Sequence, residues 1–238
     1  MKNILNIALL SILAISCVDA QKEKEMATKK NAPMLNFPPI IRSTSADSAT
    51  LPNTMFDPRD GEIYKTVTIG NQTWMTENLR FNASKSMVNP LNPSKTYGRL
   101  YDLIPAQTAC PPGWHLPTDA EWDALEMAHG MPVSFIGQGG WRGEHATNMK
   151  AKTDWKDGEN GKDSLGFKVL PAGYYFSEAT GIEQPGLEGL GYAAAFWSAI
   201  ENNIGYARFM FAERSFVNKW DAKREDTGSA LSCRCVKD

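Results

Sequence analysis

A surplus of charge is missing from this chain, and so are metal-type clusters and long apolar stretches. Its 25 Lys and Arg face 27 Asp and Glu, for a formal net charge of -2, and neither sign gathers in long blocks. Nucleic acid therefore finds no electrostatic footprint here and is not expected as a partner. Beyond the first residues, no stretch stays apolar for the ~20 residues that a membrane-spanning helix needs. The three histidines, His115, His129 and His145, show no short ligand spacing, and the four cysteines form no zinc-type pattern. Calcium-dependent sugar binding needs a carboxylate or amide on each side of a proline, and Gln184-Pro185-Gly186 has only the first. No metal and no cofactor is expected. The run Gly137-Gln138-Gly139-Gly140 does not join a strand to a helix in a phosphate-cradling pattern. Ser198 and Asp221 have no histidine at a recognisable catalytic spacing. The expectation is a protein without catalytic residues.

What is present begins with an export signal over residues 1–17. Lys2 supplies a positive start, and Ile4 to Ile15 is apolar apart from Asn6 and Ser11. At about a dozen residues, this run is too short to span a bilayer and fits a secretory signal. Ala14-Ile15-Ser16-Cys17 resembles a bacterial lipobox, which makes Cys17 the lipidation site. The alternative is cleavage after Ala20, where Val18-Asp19-Ala20 matches a small-x-small pattern. Residues 18–54 mix charges, prolines and a Ser/Thr/Ala-rich run, with too few apolar side chains to offset chain entropy, so they read as a flexible tether. Within it Asp47-Ser48-Ala49 resembles the short O-glycosylation site of Bacteroides-type bacteria, which makes Ser48 a candidate for modification.

Residues 55–238 form the domain, enough for one sizeable core. Ile63, Val67 and Ile69 suggest a strand, Gly70-Asn71 a tight turn, and Thr73-Trp74-Met75 the return strand. Residues 82–97 are polar with two prolines and read as a loop. The clearest helix runs from Thr118 to about His129. Thr118 caps it, Glu121 completes a capping box, Trp122, Leu125 and His129 share a face, and Gly130 stops it. Phe167–Leu170, Ala193–Ser198, Tyr206–Phe211 and Ala230–Val236 read as further strands. Short antiparallel strands, one or two helices and long loops make an α+β domain. Cys110, Cys233 and Cys235 lie within it, so one thiol is left over from any pair, and counting does not choose between Cys233 and Cys235 as the partner of Cys110. Of the seven tryptophans, Trp74, Trp114, Trp122 and Trp197 are expected in the core. Trp141, Trp155, Tyr174 and Tyr175 stand in loop-like surroundings and are the candidate ligand contacts.

Six blocks occur in order: Asp57-Pro58-Arg59-Asp60-Gly61, Ile69 through Leu79, Cys110 through Thr118, Leu170-Pro171-Ala172-Gly173, Phe196-Trp197-Ser198 and Arg234 through Asp238. Together they resemble the Fibrobacter succinogenes major paralogous domain family, found in exported proteins and without an established general activity. That pattern usually carries an apolar residue where Cys233 stands, so the resemblance implies a Cys110–Cys235 bridge with Cys233 as the extra thiol. Leu116 through Trp122 is also similar to a helix start in formylglycine-generating-enzyme-like domains, which implies a C-type-lectin-like fold. Those enzymes use a reactive cysteine pair, whereas Cys233 and Cys235 are only two apart in an expected strand. The resulting expectation is an exported lipoprotein of the outer membrane or cell surface, or else a periplasmic or secreted protein. Its domain binds a glycan or surface protein without catalysis, and its membrane contact is the lipid anchor. The alternative is a structural or accessory subunit of a surface or fimbrial assembly.

Overall fold

A computed structural model describes residues 52–177, 186–223 and 228–238. The expected export signal with Cys17, most of the expected tether with Ser48, and Gln184-Pro185 lie outside them. At the start of the domain, β1 (Thr54–Phe56) pairs antiparallel with β2 (Ile63–Ile69), and Gly70 at φ 59° turns the chain into β3 (Gln72–Met75). The β2–β3 register sets Val67 against Trp74 and Ile69 against Gln72, the hairpin expected from the sequence. The 82–97 stretch is mostly loop and holds β4 (Ser86–Met87) and a single 3-10 turn at Lys95–Tyr97.

Next come β5 (Leu100–Asp102), the one-turn helix α1 (Leu103–Ala106), β6 (Trp114–His115) and α2 (Asp119–Ala128). The α2 capping box is complete: the Glu121 backbone N–H donates to Thr118 Oγ1 at 3.2 Å, and the Thr118 N–H donates to Glu121 Oε2 at 2.8 Å. β7 (Gly140–Arg142), α3 (Ala146–Met149), β8 (Ala172–Phe176) and β9 (Gly186–Leu190) follow. The chain closes with β10 (Ala193–Trp197), β11 (Ile204–Phe211), β12 (Val217–Lys223), β13 (Ala230–Ser232) and β14 (Val236–Lys237).

These strands form two sheets. One has the order β1-β2-β3-β14-β6, and the other the order β4-β5-β13-β8-β10-β11-β12-β7, with β9 added on β8. The fold is α+β, mostly β with few helices among the described residues. Alternation along β10 gives the larger sheet a core on each face. Ala193, Ala195 and Trp197 join one apolar cluster with Tyr101 and Leu231, while Ala194 and Phe196 join the other with Trp74, Trp122 and Phe167.

Two expectations from the sequence need correction. Ala230–Val236 is not one strand. β13 belongs to the larger sheet and β14 to the smaller, and Cys233-Arg234-Cys235 carries the chain between them. The cause is Arg234, fully buried, whose guanidinium donates to Asn78 Oδ1 and to the carbonyls of Met75, Phe167 and Lys168. Full burial lowers its pKa, and no carboxylate is among those partners. Phe167–Leu170 is likewise not a strand. Two of its carbonyls turn toward Arg234, Lys168 takes φ 56°, and only Val169 makes a bridge, to Lys150. Cys110 and Cys235 are disulfide-bonded with Cα atoms 5.9 Å apart, and Cys233 is a buried free thiol.

Candidate functional site

β7, β11 and β12 are neighbours at one side of the larger sheet, and their register decides which side chains meet. Asn218 pairs with Trp141 on one flank and Phe209 on the other, and Trp220 pairs with Ala207. Because successive residues alternate faces, Trp141, Phe209, Phe211, Asn218 and Trp220 share one face. With Tyr174 and Phe176 from β8 they line a groove of about 330 Å³. Phe209 and Phe211 form its floor, with ring planes 13° apart and centroids 6.3 Å apart. Trp141 leans on Phe211 at 5.7 Å, and Trp220 stands edge-on to Phe176 at 5.9 Å. Asn218 is the one amide among these rings. A second hollow of about 570 Å³ shares Trp141, Asn218 and Trp220 and adds Gly139, Gly140, Lys219 and Asp221. The Tyr174 hydroxyl donates to Glu188 Oε2 at 3.3 Å, and burial together with that carboxylate pushes the phenol up to about 12.

The opposite face of the same strands carries charge. Asp119, Asp123 and Glu126 lie on one side of α2, spaced by four and three residues, so they project together onto the sheet. Arg142 of β7 reaches Glu126 at 2.6 Å and Asp123 at 2.8 Å. Arg208 of β11 reaches Asp119 at 2.5 Å, Glu126 at 3.0 Å and Asp123 at 3.2 Å, and Lys219 of β12 reaches Asp119 at 2.5 Å. Three carboxylates thus meet three cations, nearly all of them buried. Burial opposes the charge on Glu126, but the His145 hydrogen bond and the Arg208 and Arg142 charges outweigh it and bring its pKa down to about 2. Gly143, just past β7, takes φ 59°, and His145 lies where a side chain at that position would project.

A second polar constellation ties Asp238 to the start of α2. His115 Nδ1 lies 2.7 Å from Asp238 Oδ1, and its Nε2 lies 2.9 Å from Glu121 Oε1. Partial burial works against a charged ring, and the two carboxylates overcome it, so the imidazole pKa is raised. Among the described residues, no group of three or more His, Cys, Asp or Glu is arranged to hold a metal ion.

The four aromatic residues singled out from the sequence separate. Trp141 is 46% exposed and walls the groove, and Tyr174 lines it from within the fold. Tyr175, adjacent on β8, alternates away and faces another hollow with Met87 and Asp102. Trp155 is a core residue rather than a surface contact: it is 4% exposed and its indole N–H donates to the Val169 carbonyl at 3.0 Å. Trp74, Trp122 and Trp197 are buried as expected, and Trp114 is partly buried against the core. Sequence reading missed Phe176, Phe209, Phe211, Asn218 and Trp220 as groove residues. The signal for them is the alternation of Phe209 with Phe211 and of Asn218 with Trp220, the first pair lying in the expected strand Tyr206–Phe211.

A family model, the Fibrobacter succinogenes major domain, matches residues 67–237. The chain belongs to that family. No curated protein and no solved structure matches it. The matched range takes in the whole of this major domain's groove, its ionic cluster and the Cys110–Cys235 bridge.

Proposed function

We propose that this major domain is a non-enzymatic binding module of the cell envelope. It is exported, anchored as an outer-membrane or cell-surface lipoprotein through Cys17, and takes a glycan or surface protein in the groove between Trp141 and Trp220. The observation that carries the reading is the groove itself. Six aromatic rings and one amide converge there on strands fixed from behind by a buried ionic cluster. Rigid aromatic surface of this kind supplies contact area at little entropic cost.

Several features support the location. Disulfides such as Cys110–Cys235 persist in oxidising compartments. No helix among the described residues is long and apolar enough to cross a membrane, and in this reading acyl chains at Cys17 supply the anchor. A C-type-lectin-like assignment for the fold draws support from the capped helix α2 ahead of most strands of the larger sheet and from a closing strand stapled by the bridge at its start.

Binding of the purified mature protein to glycan and protein arrays tests the reading: specific signal on either array supports it, and silence on both contradicts it. An accessory role in a surface assembly is favoured by one separate feature. Phe56 and Ile63 are paired on the edge hairpin β1–β2, each 51% exposed. A partner of fixed stoichiometry, recovered from envelope extracts and lost in a Phe56→Ser variant, is the expected result for that alternative.

A further inference from the structure

We infer a second ligand site, separate from the aromatic groove, that takes a zwitterionic small molecule of the α-amino-acid class. It is a cleft of about 290 Å³ between the turn ahead of β2 and the loop ahead of β5. Small-ligand sites run from about 300 to 1,000 Å³, so a cleft at the lower end suits one small molecule rather than a chain.

Local structure sets its walls. Ser94 caps the 3-10 turn Lys95–Tyr97 by accepting the Thr96 N–H at 3.1 Å, and the turn carries Lys95 to Glu62. Gly98, at φ 73°, presses against Asn78 and the Leu79 carbonyl, where a side chain would not fit. Beside it, the Arg99 N–H donates to the Leu79 carbonyl at 3.0 Å. The Arg99 guanidinium donates from Nε to Ser86 Oγ at 2.9 Å and from Nη2 to the Ser86 carbonyl at 2.8 Å. Arg99 lines the cleft and Ser86 does not, so the Nη1 end of the fork remains for a ligand.

The charges sort into a closed set and two that are left over. Glu62 Oε1 meets the Lys95 ammonium at 2.5 Å, its Oε2 meets Arg80 at 3.0 Å, and Arg80 reaches Glu77 at 3.4 Å. Two cations are thereby matched by two carboxylates. Arg99 and Asp60 also line the cleft, and among the described residues neither has an ion-pair partner. Asp60 Oδ1 accepts the Glu62 N–H at 3.0 Å and its other oxygen is open. An unmatched guanidinium and an unmatched carboxylate on one cleft complement a ligand that carries both charges. The planar fork of Arg99 suits a carboxylate, and Asp60 suits an ammonium. A plain anion would meet Asp60 and a plain cation would meet Arg99. Phe81, Val88 and Pro93 supply apolar wall, with the Arg59 guanidinium 3.8 Å from the Phe81 ring centroid, so the side chain the cleft favours is apolar.

Isothermal titration of the purified mature protein with alanine, leucine and phenylalanine tests this, beside the N-acetyl and amide forms of each, which lose one charge. Leucine or phenylalanine is expected to bind more tightly than alanine, and each blocked form about tenfold more weakly than its parent. Asp60 is exposed, and an amide there can still accept the Glu62 N–H, so Asp60→Asn keeps the fold. That variant is expected to lose about tenfold in affinity for the amino acid and nothing for its N-acetyl form. Trp141→Ala/Trp220→Ala is expected to bind the amino acid as the wild type does. No binding of any of the three, equal binding of the blocked forms, or an unchanged Asp60→Asn profile overturns the inference. Loss of binding in the double tryptophan variant also overturns it, because the ligand would then sit in the groove. The array results bear on the groove alone, so either reading can fail while the other stands.

Discussion

Trp141 and Arg142 are consecutive in β7 and face opposite sides of the sheet, the first into the aromatic groove and the second into the ionic cluster under α2. Asn218 and Lys219 repeat this division on β12. The charges therefore hold the two strands that present the groove's indole rings, and ionic scaffold and groove can be perturbed independently. Glu126→Ala leaves Arg142 and Arg208 buried without a main partner and is expected to cost about 3–5 kcal/mol of stability. Trp141→Ala, on the exposed face, is expected to cost about 1 kcal/mol. Urea unfolding of the two variants checks the difference.

The acid limb of stability carries the Glu126 signature. Its carboxyl is near 4.5 when unfolded and about 2 when folded, so its contribution is complete above pH 4.5 and disappears as the pH falls toward 2. The gap in unfolding midpoint between the wild type and Glu126→Gln is expected to be constant from neutral pH down to about 4.5, then to close below it. A gap that persists at pH 2 contradicts the assignment.

His115 acts with the opposite sign. Because its folded pKa is raised above the ordinary 6.5, its contribution is complete below pH 6.5 and declines as the pH rises through the raised value. The wild type is expected to exceed His115→Gln in melting temperature at pH 5.5 and to lose most of that advantage by alkaline pH. The ring is partly exposed, so the effect is small and salt-sensitive.

The three domain cysteines divide into a staple and a bystander. Burial pushes the Cys233 thiol up, so the native protein is expected to react with Ellman's reagent no faster than a Cys233→Ala variant until it is unfolded. The bridge spans a separation of 125 residues, for which the chain-entropy model gives about 5 kcal/mol. Replacing Cys110 and Cys235 together by Ala is expected to lower stability by several kcal/mol, measured in urea.

Local signals were the legible part of this sequence. The α2 capping box, Gly130 as the helix stop and the Gly70-Asn71 hairpin each depend on residues a few positions apart, and each is present in the fold. Burial of Trp74, Trp122 and Trp197 followed from their motif segments. Long-range partnerships were hidden. Arg234 breaks the expected last strand because carbonyls some 66 residues earlier turn toward it. Nothing near Arg208 in sequence announces Glu126, Asp119 or Asp123 as its partners. Trp155 looked like a surface ring because polar residues surround it, yet its indole closes over the core and finds the Val169 carbonyl. The alternation of Asn218 with Trp220 puts the two on one face, but only the β11–β12 register brings Trp220 to the rings of β11.

In the proposed function, the aromatic face of β7 and β12 is the place where ligand is held. Array binding of a Trp141→Ala/Trp220→Ala double variant, with its fold verified by circular dichroism, tests that most directly. The account predicts that the signal given by the wild-type protein disappears while the far-ultraviolet spectrum stays unchanged. Binding at the wild-type level by the folded double variant would contradict it.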